Sequence, residues 1–340
     1  MLVYLFVLFI AIVYCALKKA HYKTNVFWLL FILIFLSGFR YMVGIDFPNY
    51  KIGYDYPDYL IAEQSWHIIN SFFKGLGFSS QIFFIYTTLV IVICTYSAIK
   101  RYDRSIMLYA MLIFVSTSLY IESMNLVRQY VAMAIALLAF VYRLNNRPVT
   151  YIILLILAFL LHKTAIICLP VFELSRLRFS KLFMILVVLA SIITGKFIVN
   201  SLLNVATSYL DSSFSYYTYL NNKSEIVVSS GMYQYFLNIL AIYFIYSRKS
   251  EYENNKRYSA VLNLFVVSVV LYNVFLYFDV GIRLAKYFFI FIIFLIPEHF
   301  KNCKGYTRII EFGIMALFIL FTLKLASGSQ YNPFLFNFAL

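Results

Sequence analysis

The chain is poor in charged residues, which make up 12% of its 340 amino acids, whereas apolar residues make up 63%. A typical soluble domain is about half apolar and about a quarter charged. No polar stretch is long enough to bury a core of its own, which argues against a separate soluble domain. The composition therefore predicts an integral membrane protein with many spans, organised as one domain over residues 1–340.

Motifs of the common soluble enzymes are also missing. The four cysteines lie far apart without CxxC spacing, so neither a disulfide framework nor a metal site is expected. The patterns GxSxG, HExxH, Walker A and GxGxxG after a strand do not occur, which removes the usual signatures of serine hydrolases, zinc proteases and nucleotide-binding enzymes. We therefore expect no cofactor and no metal.

Acidic residues are half as frequent as basic ones, 14 against 28, which leaves a net charge of +14. Such an excess is common in nucleic-acid-binding proteins, but here the basic residues form short clusters between apolar segments. The positive-inside rule places Lys and Arg in short cytoplasmic loops. No basic face with interleaved motifs accompanies them, so no nucleic-acid partner is expected.

The basic clusters predict an orientation in the membrane. The first three alternate correctly along the chain: Lys18, Lys19 and Lys23; Lys100, Arg101 and Arg104; Arg143 and Arg147. They place the N-terminus and segment 41–81 outside. The later basic clusters would also fall outside if residues 149–172 crossed once, but all obey the rule if residues 149–175 go out and return. We therefore predict a broken or re-entrant segment near His162, where irregular backbone would line a cavity.

The predicted fold is an all-α polytopic membrane helix bundle of about 11–12 membrane segments, since a span needs about 20 residues. Segments 41–81 and 204–230 are predicted loops on the outer side, and both termini are predicted to lie outside. Within the first loop, residues 63–76 carry apolar side chains at helical spacing, namely Trp66, Ile69, Phe73 and Leu76. This pattern predicts an amphipathic helix on the outer face, ended by Gly75 and Gly77.

Polar residues at membrane depth are costly and by default mark a site. Arg40 ends the second predicted span, and Asp46 follows shortly after Gly44, which permits a tight bend. Two interpretations stay open for Arg40. It either binds a ligand, or it snorkels to the interface and pairs locally with Asp46.

A second polar group lies on one helix face, because Asn125, Arg128 and Gln129 are spaced i, i+3 and i+4. An arginine about one turn into an apolar run needs an anion. That anion is either a ligand or the carboxylate of Glu122 or Asp46, in which case the ion pair is structural.

Two further groups follow in apolar surroundings. His162 and Lys163 interrupt a long apolar stretch, and the alternative to a functional role is a hydrogen-bonded histidine that stabilises a helix break. Asp279 begins a segment in which Arg283, Lys286 and Tyr287 share a helix face. Here the alternative is a cation that snorkels to the outer interface.

Together, Arg40, Arg128, Arg283, Lys163 and His162 would form a basic pocket at the outer surface. Arginine suits bidentate phosphate recognition, so the pocket fits an amphiphile with a phosphate head and a lipid tail. Cleavage of a lipid-linked pyrophosphate sugar needs cations for the departing diphosphate and a base for an incoming hydroxyl. The base candidates are Asp46, Glu63 and His162, and Asn125, Gln129, Asp279 and Tyr287 are supporting residues.

Six short motifs occur in a fixed order along almost the whole chain: RYMVGIDFPNY (40–50), KGLGFS (74–79), NLVRQ (125–129), LLHKTA (160–165), RLAKYF (283–288) and YNPF (331–334). The series resembles the EpsG family, membrane proteins of bacterial polysaccharide synthesis that include O-antigen and capsule polymerases of the Wzy type. The chain departs from the family pattern at Ile45 and Phe47, around Asp46, where Gly-Asp-Tyr is usual, and at Thr164, where Ser is common.

The resemblance implies a glycosyltransferase-type polymerase in the bacterial inner membrane, with its active site facing the periplasm. It would join undecaprenyl-diphosphate-linked oligosaccharide repeat units and release undecaprenyl diphosphate, without a nucleotide sugar or an obligatory metal. A chain-length regulator and a flippase are the implied partners.

Two other classes remain as alternatives. A flippase for lipid-linked oligosaccharides would expose its cations to both faces in turn, so they should line a path through the membrane instead of gathering at one end. A membrane acyltransferase could use His162 with Lys163, but the sequence contains no acyl-donor signature.

Overall fold

The computed structural model describes residues 1–19, 26–56, 63–209, 231–248, 254–276, 278–301, 304–331 and 334–338. This part of the chain is almost entirely helical and divides into two compact units. Unit 1 comprises Met1–Leu169 with Ile296–Leu340, and unit 2 comprises Pro170–Leu295.

The first half of the chain contains these elements: α1 (Leu2–Lys19), α2 (Val26–Gly38), β1 (Arg40–Tyr41), α3 (Phe47–Asp55), α4 (Gln64–Gly75), α5 (Gln81–Tyr102), a 3₁₀ turn (Arg104–Ile106), α6 (Met107–Ser116), α7 (Leu119–Glu122), α8 (Val127–Leu144), α9 (Pro148–Leu161), a 3₁₀ helix (Lys163–Ile167) and α10 (Cys168–Ser175). The second half contains α11 (Lys181–Tyr209), α12 (Gly231–Ser247), α13 (Lys256–Val274), α14 (Asp279–Phe289), α15 (Ile292–Phe300), α16 (Tyr306–Ala326), a 3₁₀ turn (Ser329–Tyr331) and β2 (Leu335–Phe336).

Four helices among the described residues are long and apolar enough to cross a membrane: α5, α8, α13 and α16. Shorter apolar helices cover Leu2–Leu17, Val26–Gly38, Arg104–Ser116, Pro148–Leu161 and Lys181–Gly195. In lipid the backbone must satisfy its own hydrogen bonds, which helices do. The prediction of an all-α polytopic membrane bundle is confirmed. Most of the predicted loop 204–230 lies outside the described residues.

The basic loops of unit 1 gather at one end. The Asn145 side chain, just after α8, donates to the Arg101 carbonyl at the end of α5 (3.5 Å). The Lys301 ammonium, after α15, pairs with the Asp103 carboxylate at 2.8 Å. The loop that begins at Lys301 therefore shares an end with the loop after α5.

The opposite end of unit 1 is closed by its C-terminal segment. Strands β1 and β2 pair antiparallel, with Arg40 opposite Phe336. The Gly44 N–H donates to the Gln330 carbonyl at 2.7 Å. Gly44 has φ +97°, and an added Cβ would lie 2.9 Å from the Met124 carbonyl oxygen. This turn therefore requires glycine, as the sequence suggested.

The helix break predicted near His162 is present. Helix α9 ends at Leu161, and His162 has an extended backbone with φ −158° and ψ 110°. A 3₁₀ helix and the short helix α10 follow. The return of this second limb to its starting side stays a prediction.

The amphipathic helix predicted in the first outer segment is α4, which ends at Gly75. Trp66 and Asn70 face the protein and are buried, whereas Ile68 and Phe72 are exposed. The predicted apolar face is thus turned partly toward the protein, because Trp66 is buried and the Phe73 ring stacks on Tyr86 at 5.0 Å between ring centres. Ile68 and Phe72, one turn apart on the outer side, suit contact with lipid.

Unit 2 contains a buried polar cluster between helices α11, α12 and α13. The Asn273 side chain accepts hydrogen bonds from Gln234 (3.0 Å) and Asn238 (2.9 Å) and donates to Ser191 Oγ (2.8 Å). A buried amide in apolar surroundings is costly unless it is hydrogen-bonded. These contacts therefore fix how the three helices meet.

Gly195 packs directly against this cluster, and a Cβ there would lie 2.6 Å from the Asn273 carbonyl oxygen. We predict that Gly195→Ala lowers the stability of the detergent-solubilised protein by about 1–3 kcal/mol, the usual cost of overpacking. Gly313→Ala is the matched control, because no atom lies within 4 Å of an added Cβ at that helical position. Thermal unfolding of both variants measures the difference, and equal midpoints would contradict the prediction.

Candidate functional site

Three of the residues singled out in the sequence meet at one carboxylate. Glu63, immediately before α4, accepts a hydrogen bond from Arg128 Nη1 through Oε2 (3.1 Å). Its Oε1 lies 3.0 Å from His162 Nδ1 and 3.3 Å from the Lys163 backbone nitrogen. The side chains of Arg128, His162 and Glu63 are 24%, 19% and 12% exposed. We call these three residues the Glu63 cluster; it is half-buried.

The ends of α4 and α9 hold the cluster together. Ser65 Oγ donates to the Leu160 carbonyl at 2.5 Å, and Trp66 Nε1 donates to the Leu161 carbonyl at 2.6 Å. The last carbonyls of a helix have no partner within it, so α4 satisfies groups that the break at His162 leaves open. The same contacts bring Glu63 to His162.

Arg128 lies in the first turn of α8, about 22 Å along the helix from Arg143 at its basic end, at a rise of about 1.5 Å per residue. The sequence left open a structural ion pair between Arg128 and Glu122 or Asp46. In the structure, Arg128 instead pairs with Glu63. Glu122 instead accepts hydrogen bonds from Ser118 and Tyr130.

Tyr50 contacts Arg128 in the candidate site, and the sequence had not singled it out as a site residue. The Arg128 guanidinium carbon lies 5.9 Å from the centre of the Tyr50 ring, within range of a cation–π contact. Burial raises the pKa of the Tyr50 phenol, so the phenol stays protonated. Tyr50 lies in α3, one helical turn after Asp46, which immediately precedes the helix. This spacing would have indicated that Tyr50 lies on the same side as Asp46 if the sequence had predicted α3.

The Glu63 carboxyl is strongly acidic. Burial alone would raise its pKa, but the hydrogen bond with His162, its own backbone N–H and the charge of Arg128 together lower the pKa to about 2. Glu63 is therefore a carboxylate at neutral pH. Because a carboxylate only accepts hydrogen bonds, His162 Nδ1 carries the hydrogen, and Nε2 of neutral His162 is left to accept one.

Arg40 is fully buried at 1% exposure. Its guanidinium donates to the Ser37 carbonyl and to the Met124 carbonyl (3.0 Å) and lies 4.7 Å from the centre of the Phe84 ring. The sequence had suggested Asp46 as its partner. The observed contacts instead join α2 to the turn before α8, and the predicted role of Arg40 in binding diphosphate stays a prediction.

Asp46 is held from the same turn, because its backbone N–H donates to Asn125 Oδ1 at 3.0 Å. Asn125 is thus a supporting residue for the loop that carries Asp46. Gln129, one helical turn after Asn125, is buried, and its amide nitrogen lies 3.7 Å from the Met133 sulfur. The Lys163 side chain is exposed.

The remaining predicted site residues are in α14 of unit 2. Asp279 begins this helix, Arg283 is half-buried and Tyr287 is buried at 1% exposure. A joint site of Arg283 with Arg128 stays a prediction. In the described part of the chain, no group of three or more His, Cys, Asp or Glu residues is arranged to hold a metal ion.

The acidity of Glu63 predicts how stability depends on pH. The folded pKa of about 2 lies below the ordinary value of 4.5, so the stabilisation is complete above about pH 4.5 and is lost as the pH falls toward 2. Glu63→Gln should therefore unfold at a lower temperature than the wild type at pH 7, with a smaller gap at pH 3. Thermal unfolding in detergent measures this gap, and a constant difference at both pH values would refute it.

No protein of curated function and no solved structure matches the chain significantly. The sequence model described as the EpsG family does match, over residues 23–337. This range contains every residue of the Glu63 cluster and both strands at the closed end of unit 1. The match and the helical architecture agree with a polysaccharide polymerase-like membrane protein, and the chain belongs to the EpsG family.

Proposed function

We propose that this protein is a polymerase that joins undecaprenyl-diphosphate-linked oligosaccharide repeat units at the periplasmic face of the bacterial inner membrane. The observation that carries the proposal is the Glu63 cluster, which holds a guanidinium, a carboxylate and an imidazole within hydrogen-bond distance at one end of unit 1. Membership of the EpsG family directs this chemistry toward polysaccharide synthesis.

The reaction is a glycosyl transfer with a diphosphate leaving group. A hydroxyl oxygen of the acceptor sugar attacks the anomeric carbon of the donor and forms the new C–O bond. The bond from that carbon to the lipid diphosphate breaks, and its electron pair leaves with undecaprenyl diphosphate. The hydroxyl proton passes to a base of the protein, and fixed cations stabilise the negative charge on the leaving diphosphate.

Each part of the reaction has a candidate among the residues. Arg128 is the cation of the Glu63 cluster, and its planar guanidinium suits a phosphate. Arg283 and Lys163 are further candidates for the diphosphate. His162, Asp46 and Glu63 are the candidate proton acceptors, and its low pKa makes Glu63 a weak base.

The proposed orientation is supported by the basic loops of unit 1. The pair between Lys301 and Asp103 gathers two basic loops at one end, and the positive-inside rule assigns that end to the cytoplasm. Arg128 lies at the other end of α8, which would face the periplasm. A flippase would instead need cations along the path between these ends.

We expect Arg128→Ala to reduce polymer by about 100-fold or more, because removing one donor to a developing charge costs about that factor. Single-repeat lipid-linked product should persist. Arg128→Lys should give an intermediate yield, since it keeps the charge but loses the planar fork. Polysaccharide gels of complemented deletion cells measure the yield. Arg104→Ala, an exposed arginine at the basic end, is the control and should be normal; long polymer from Arg128→Ala would reject the assignment.

The orientation predicts a labelling pattern. In a variant without the four native cysteines, Lys163→Cys should react with a membrane-impermeant maleimide in intact spheroplasts. Lys304→Cys should react only after lysis, because it lies in the basic loop that begins at Lys301. Both lysines are exposed, so accessibility to reagent depends on the side of the membrane. Labelling of both positions in intact spheroplasts would contradict the proposed topology.

A further inference from the structure

Glu63 contacts both Arg128 and His162, to which the proposed reaction gives different roles: diphosphate binding for Arg128 and proton acceptance for His162. One carboxylate oxygen accepts from Arg128, and the other accepts from the His162 ring and the Lys163 backbone N–H. Both oxygens are therefore engaged at once. A diphosphate that binds Arg128 would bring further anionic oxygens to the guanidinium, which is already bound to the Glu63 carboxylate.

The guanidinium of Arg128 already binds one anion through one of its two terminal nitrogens. Nη1 is bound to Glu63 at 3.1 Å, and the guanidinium lies beside the ring of the buried Tyr50. A bidentate phosphate contact uses two parallel N–H groups. Like charges close together repel each other by amounts that matter in partly desolvated surroundings. The diphosphate and Glu63 therefore compete for Arg128.

The histidine contact faces no such competition. His162 Nδ1 and the Lys163 backbone N–H bind the other oxygen of Glu63, at 3.0 and 3.3 Å. The hydrogen bonds of Ser65 and Trp66 to the end of α9 hold the start of α4 in place independently of Arg128. Glu63 can thus lose Arg128 and still orient the imidazole.

We propose that Glu63 is an internal counter-anion of the free protein: it occupies Arg128 until a substrate diphosphate takes over that arginine, and it then remains bound to His162 as its positioning residue. This inference rests on the proposed function, because the competing ligand is the diphosphate of the lipid carrier. Glu63 lowers the affinity for substrate and in return keeps the ring of His162 in one orientation, with Nε2 toward the ligand.

The direct test measures binding of farnesyl diphosphate, a short amphiphile with the same head group, to the full chain in detergent by isothermal titration calorimetry. We expect Glu63→Gln to bind about five- to tenfold more tightly than the wild type, the scale of a partly exposed ion pair. Glu63→Asp keeps the charge and should stay closer to the wild type. Arg128→Ala should bind more weakly than all of them.

A matched control separates charge from loosening of α4. Tyr86→Phe removes the hydrogen bond that Tyr86 donates to Asn70 Oδ1 in α4 (2.9 Å) and keeps the Ser65 and Trp66 contacts that hold the Glu63 end of the helix, so its affinity should stay within about twofold of the wild type. Equal tightening in Tyr86→Phe would overturn the inference, because a loosened helix would then explain the result. In a polymerisation assay, Glu63→Gln should lower KM and kcat together, since substrate binds better while His162 is less well oriented.

The outcomes distinguish the inference from the function beneath it. If Arg128→Ala binds farnesyl diphosphate as well as the wild type, the proposed diphosphate site fails. If Arg128→Ala binds weakly but Glu63→Gln is unchanged or weaker, the function stands and the counter-anion is overturned. Failure of both Glu63 variants to fold, judged by gel filtration, would make Glu63 a structural residue and also overturn the inference.

Discussion

The sharing of one carboxylate among three helices is the interaction on which the candidate site depends. Glu63 precedes α4, Arg128 lies in the first turn of α8, and His162 follows α9. The three residues therefore come from three different parts of the chain. A charged group at the edge of the membrane is costly alone, and the partners offset one another. The ion pair with Arg128 and the hydrogen bond with His162 therefore connect the packing of three helix ends to the protonation state of the site.

The break after α9 is what makes this meeting possible. A continuous helix would have used the carbonyls of Leu160 and Leu161 internally, but the extended backbone at His162 leaves them open. Ser65 and Trp66 of the surface helix α4 satisfy them. In lipid an unsatisfied carbonyl is strongly unfavourable, so the break and the surface helix depend on each other. The exposed Ile68 and Phe72 place two apolar side chains on the outer side of α4, which suits a position at the interface.

A second constraint is the closed end of unit 1, where β1 and the C-terminal segment support the loop that carries Asp46. The pairing of β1 with β2 and the hydrogen bond from Gly44 to Gln330 fix the backbone on one side of Asp46. Asn125 fixes it on the other. Arg40 sits beneath this loop as a buried cation with backbone, hydroxyl and ring contacts. Its position links α2 to the start of α8, and so links Asp46 to Arg128.

Periodicity and charge placement in the sequence were enough to determine the membrane class, the helix at 64–75, the glycine turn at Gly44 and the break at His162, because each depends on local residue types and hydropathy. They also selected Glu63, Arg128 and His162 as candidate site residues. Only the tertiary structure decided that these three share one carboxylate, that Asn125 holds Asp46, and that Tyr50 lies under Arg128. Partners separated by 65 and 99 positions in the chain are chosen by helix packing, and hydropathy contains no information about which helix ends become neighbours.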